Sequence, residues 1–116
     1  MQGYNAKVPP EFVREDLIMK VDGDVLEVTV PKTPGARRIP LAWLVVHAQP
    51  ARKNNVQITI GSENVEQPLY EMAKKFKLRG NTLMTYIKAE EEPAYRSFFT
   101  EVAQVCGRSV APPMTS

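Results

Sequence analysis

The sequence is poor in the residues that catalysis and covalent stapling require. Its 116 residues include one cysteine, one histidine and one tryptophan. Cys106 alone forms no internal disulfide, so nothing in the chain points to an oxidising compartment. His47 has no second histidine or cysteine near it in sequence, which argues against zinc. A nucleophile–base pair would have to bring His47 and Cys106 together across space. Cys106 stands on an apolar stripe, where cysteine behaves as a small hydrophobe. No glycine-rich phosphate loop is present, and Gly61 and Gly80 read as isolated turn glycines. No catalytic residue, cofactor or metal site is therefore expected. No run of about 18 apolar residues offers a membrane-spanning helix. Residues 1–5 lack the charged-then-apolar pattern of a secretion signal, and a cytoplasmic location is the expectation.

What remains is ordinary soluble-domain material, 43% hydrophobic and 24% charged, in a length suited to one domain. The net charge of +2 is unevenly spread. Residues 32–88 carry +7 and the remainder −5. A basic middle on an acidic frame is able to steer an anionic partner. Its candidate anion surface comprises Arg37, Arg38, Arg52 and Lys53, joined across a hairpin, and Lys74, Lys75, Lys77 and Arg79.

Short period-2 segments precede one period-3.6 segment, which argues for a small β-barrel or β-sandwich closed by a C-terminal helix. Residues 1–10 read as an extended arm because of Pro9 and Pro10. Residues 12–21 read as a first strand with Val13, Leu17, Met19 and Val21 on one face. Asp22-Gly23 is a hairpin signal, followed by alternating Leu26, Val28 and Val30. Residues 37–47 are nearly all apolar after Pro40, as in a strand covered on both faces. Alternation would point Leu41, Trp43 and Val45 one way and Ala42, Leu44 and Val46 the other. Either the chain itself or a partner must cover the second face. Leu41, Trp43 and Val45 are accordingly the candidate partner surface. Val56, Ile58 and Ile60 form another strand. Residues 67–79 fit either a helix or a strand.

The final helix, residues 93–106, carries Tyr95, Phe98, Phe99, Val102, Val105 and Cys106 as one stripe. Pro93 suits its first turn, Gly107 its C-cap, and Glu90, Glu91 and Glu92 complement its dipole. Residues 108–116 read as a flexible tail.

Three stretches resemble bacterial pleckstrin-homology-like (PH-like) domains, closest to actinobacterial members. They are Gly3-Tyr4, the Asp22-Gly23 hairpin into Val25-Leu26-Glu27-Val28, and Arg38-Ile39-Pro40-Leu41-Ala42-Trp43-Leu44. The Pro93-Ala94-Tyr95 opening of the helix fits as well. The resemblance spans about residues 3–107. It implies a mainly β fold, a strongly bent antiparallel sheet or small barrel of about seven strands capped by one C-terminal helix. The phosphoinositide-binding first hairpin of eukaryotic relatives is not matched, because Asp22 and Asp24 make this hairpin acidic. The expected function is a non-catalytic interaction module that binds a protein or peptide or self-associates as a homo-oligomer. The alternative is anion binding, to nucleic acid or an anionic membrane surface, through the basic middle.

Overall fold

A computed structural model describes residues 9–32, 35–63, 68–72 and 82–112. Four strands, β1 (Glu11–Val13), β2 (Ile18–Asp22), β3 (Val25–Thr29) and β4 (Ala36–Pro40), form an antiparallel meander in that order. A second sheet has the order β7-β5-β6-β8, from β5 (Leu44–Ala51), β6 (Asn55–Ser62), β7 (Tyr70–Met72) and β8 (Leu83–Lys88). A 3-10 turn, Ala89–Glu91, leads into α1 (Glu92–Cys106). The domain is thus mainly β with a C-terminal helix. Its strands lie in two separate sheets, not in the closed barrel the resemblance implied.

Local chemistry explains the element boundaries. Gly23 has a φ of 66°, which a residue without Cβ adopts freely, and it turns β2 into β3. Pro40 ends β4, and the Trp43 N–H bonds to the Pro40 carbonyl at 3.0 Å. That turn separates β4 from β5, so residues 37–47 are not one strand. The same kind of break divides residues 12–21. The Arg14 N–H donates to the Leu17 carbonyl at 2.8 Å, closing a tight turn between β1 and β2. The turn resets the alternation: Phe12 points into the core while Val13 is exposed. Gly61 is not a turn glycine, since it sits within β6 opposite Val45.

β7 settles the ambiguity of residues 67–79 where they are described, at 68–72. It is a strand, and it pairs with β5 in parallel, contrary to an all-antiparallel sheet. The Tyr70 ring stacks on Phe99 at 5.5 Å, which anchors this short strand to the helix.

The core lies between the sheets and α1. Met19, Leu26 and Val28 from the meander meet Leu44, Val46, Ile58 and Ile60 from the second sheet. Phe12 packs on Tyr95 at 4.5 Å and on Phe98 at 5.4 Å, so β1 closes one side of the helix. Tyr95, Phe98, Phe99 and Val102 are buried as the helical stripe requires. Val105, at the margin of the stripe in the last turn, is exposed, and Cys106 is half-buried. Gly107 ends the helix with a φ of 72°. The residues just after it are not a free tail. The Leu69 N–H donates to the Ser109 carbonyl at 2.8 Å, and the Ala111 N–H to the Tyr70 carbonyl at 3.0 Å. Among the described residues no helix is long and apolar enough to cross a membrane.

Candidate interaction edge

The apolar strand β5 is buried on both faces, as its composition requires. Leu44, Val46 and Ala48 belong to the core, while Val45, His47 and, opposite it on β6, Thr59 are buried on the reverse face. That face is therefore covered within the chain. Leu41 and Val45 are 2% and 0% exposed, so neither contributes to a free surface. Trp43 alone of the three is accessible, at 49%, because it occupies a turn rather than a strand. The imidazole of His47 lies 3.9 Å from the Glu71 carboxylate, its partner in register across β5 and β7. Among the described residues no three His, Cys, Asp or Glu side chains gather to hold a metal.

The basic candidates among the described residues are not assembled into one patch. Arg37 and Arg38 lie beside Ile60, Gly61 and Ser62, toward the C-terminal end of β6. Arg52 and Lys53 form the tip of the β5–β6 hairpin, before β6 begins at Asn55. At about 3.3 Å per residue the two groups are some five residues of strand apart, about 17 Å. Arg38 is already occupied. Its guanidinium bonds to Glu27 at 2.7 Å and to Asp22 at 3.1 Å, and the Asp22 bond chiefly raises its pKa. The register explains this: Glu11, Lys20, Glu27 and Arg38 form one row of alternating charge across the outer face of the meander. Lys74, Lys75, Lys77 and Arg79 lie outside the described residues.

The sheet edges distinguish themselves more sharply. An unpaired edge invites another strand, and proteins blunt it by shortness, charge, proline or cover. β1 has three residues. β4 carries Arg37, Arg38 and Pro40. The outer flank of β7 is bonded by residues 109–111. Among the described residues β8 has none of these protections. It is six residues long, and its sequence Leu-Met-Thr-Tyr-Ile is uncharged until Lys88. Its ladder runs to β6 from Asn55↔Lys88 to Ile60↔Leu83. Among the described residues no second ladder lies on its other side. Met84 and Tyr86, on its outer face, are 52% and 61% exposed.

A trough follows this edge. One part, about 530 Å3, lies between Leu83–Met84–Thr85 and a wall that includes Leu17, Val28 and Val30 of the meander. A second, about 480 Å3, continues past Tyr86 to Arg14 and Lys88, and the two share Asp16 and Thr85. This is the seam left where the two sheets fail to close. Sequence reading missed it, although the run from Leu83 to Ile87 had the β-branched and aromatic composition of an edge that pairs readily.

At the end of β8 the helix start is held by a buried ionic cluster. Glu92 is 4% exposed. Its carboxylate accepts the Tyr70 hydroxyl at 2.6 Å and the Arg96 Nε–H at 3.0 Å, and a second Arg96 nitrogen bonds its other oxygen. Burial, with the nearby carboxylate, pushes the Tyr70 phenol pKa far above its ordinary value. Arg14 bridges to Glu91 at 3.4 Å and lies 4.2 Å over the Phe12 ring.

Comparison with known proteins finds no matching family model, no matching curated protein and no matching solved structure.

Proposed function

We propose that this chain is a non-catalytic interaction module that accepts an extended protein strand along the free edge of β8. The observation that carries the reading is the contrast among edges: three are blunted and the fourth, six residues long, is unpaired among the described residues and flanked by a trough. Strand addition supplies affinity through main-chain hydrogen bonds, and alternate side chains supply specificity. Met84 and Tyr86 offer an added strand exposed apolar side chains, while the trough wall opposite turns charged past Thr85, with Arg14, Asp16, Lys32 and Glu91. The PH-like resemblance is part of the same proposal. It is supported by the order of a meander, a second sheet and a closing helix, while the parallel strand β7 departs from it.

The test is to pan randomised extended heptapeptides against the native protein and map enriched binders by amide chemical shifts. Shifts centred on residues 83–88 and the trough wall are expected. Shifts centred on the Arg52–Lys53 hairpin tip, or no enrichment at all, would refute the reading.

A further inference from the structure

We infer that the strand taken up by β8 is β8 of a second copy of this chain, paired antiparallel about a two-fold axis; this rests on the edge reading above.

The edge is self-complementary. Directly opposed residues of an antiparallel pair share a face, so a two-fold axis through the ladder must match outer residues with outer residues. Centring the axis on Thr85 places Met84 opposite Tyr86 of the second copy, and Tyr86 opposite its Met84. Leu83 then faces Ile87, and Lys88 faces Thr82. The two most exposed apolar residues of the strand cover each other twice, as sulfur–aromatic contacts. The single charge of β8, Lys88, meets a threonine rather than its own copy. A shift by two residues would instead set Tyr86 against itself and Lys88 against Met84, which buries less apolar surface and opposes a charge to it. Charge does not forbid the approach of two copies, since the net charge is only +2. A six-residue ladder is about 20 Å long and falls short of the roughly 1,600 Å2 of a standard interface. The dimer is accordingly reversible, forming in the micromolar to high-micromolar range.

The experiment is sedimentation equilibrium of the full chain up to about 500 µM, repeated with the Met84→Lys/Tyr86→Lys variant. Both substituted side chains are exposed, so the fold is retained. Two attractive pairs become two like-charge pairs, which weakens the dimer by about tenfold or more. Thr85→Cys in a Cys106→Ser background gives a register readout: the two introduced thiols face each other across the axis, within disulfide reach, and cross-link under oxidised glutathione. A native chain that is strictly monomeric at about 500 µM overturns the proposal. So does a dimer that neither weakens in the lysine variant nor cross-links in the Thr85→Cys variant. A synthetic peptide of residues 82–88 separates this failure from failure of the edge reading. If the monomer binds it with shifts on β8, the edge accepts a strand and only the second copy is wrong.

Discussion

Glu92 is the residue whose loss should cost the fold most for its size. In Glu92→Ala the Tyr70 hydroxyl loses its acceptor at a position only 1% exposed. A buried donor left without a partner costs about 1–3 kcal/mol. Arg96 loses both of its bonds to the carboxylate. Breaking a fully buried pair by removing one partner costs about 3–5 kcal/mol, but the Arg96 side chain is 28% exposed and water recovers part of that. The two effects share one acceptor and do not add, so the net expectation is about 3 kcal/mol. With a urea m-value of about 1.5 kcal/mol/M, the midpoint falls by about 2 M. Glu92→Gln keeps an oxygen for Tyr70 and loses only the charge, so it should cost about half as much. Glu90→Ala, an exposed neighbour, should stay within about 0.5 kcal/mol. Urea melts of the three variants, followed by circular dichroism, decide the matter. A Glu92→Ala cost below about 1 kcal/mol, or equal effects at Glu90 and Glu92, would refute the view that the carboxylate is a buried anchor in addition to a dipole complement.

Phe99→Ala should cost about 3–5 kcal/mol in the same melts, since Phe99 is 0% exposed, whereas Val105→Ala, in an exposed position, should stay within about 0.5 kcal/mol. Tyr70 should resist ionisation when the protein is titrated and tyrosinate absorbance is followed, because burial and then Glu92 disfavour its phenolate. The sign follows: unfolded tyrosine loses its proton near about pH 10 while folded Tyr70 holds it, so stability is retained below about pH 10 and falls above it. Tyr70→Phe should flatten that alkaline loss. Arg38→Ala should leave retention on a heparin column unchanged at about 50 mM salt, because the guanidinium is committed to Asp22 and Glu27.

Legibility followed the range of the interactions. The helix could be read because Tyr95, Phe98, Phe99 and Val102 repeat within one element, and the β2–β3 hairpin because Asp22-Gly23 fixes its own turn. Alternation failed wherever a turn reset parity. Val13 and Trp43 are exposed for this reason, the first before the Arg14–Leu17 turn and the second within the turn after Pro40. Glu92 does stand in the first turn, as the dipole reading required, but that reading gave no sign of its burial or of its bonds to Tyr70 and Arg96. Yet it lies three residues before Tyr95 and seven before Phe99, on the buried face, with Arg96 at the i+4 position to neutralise it. That spacing was available in the sequence. The pairing of Arg38 with Glu27 was not, since it depends on the β3–β4 register. Nor was the bare edge of β8, because which strand ends a sheet is decided by long-range pairing.

The ionic anchor and the bare edge are connected through the chain itself. β8 is fixed along one side by its ladder to β6 and passes directly through the Ala89–Glu91 turn to Glu92. Ile87 is buried, so the C-terminal half of the strand is held from beneath as well. A strand fixed in this way loses little conformational freedom when another strand pairs with it, and preorganisation of this kind contributes more to affinity than added area does. Glu92, Tyr70 and Arg96 bond to one another within the fold, one short turn beyond the end of β8. A loose edge with the same six residues would have to be ordered at the moment of binding, at about 1–2 kcal/mol per residue. That expense would cancel the gain from a ladder so short. On the proposed reading, the anchored helix start beside β8 is what holds the strand ready for a partner.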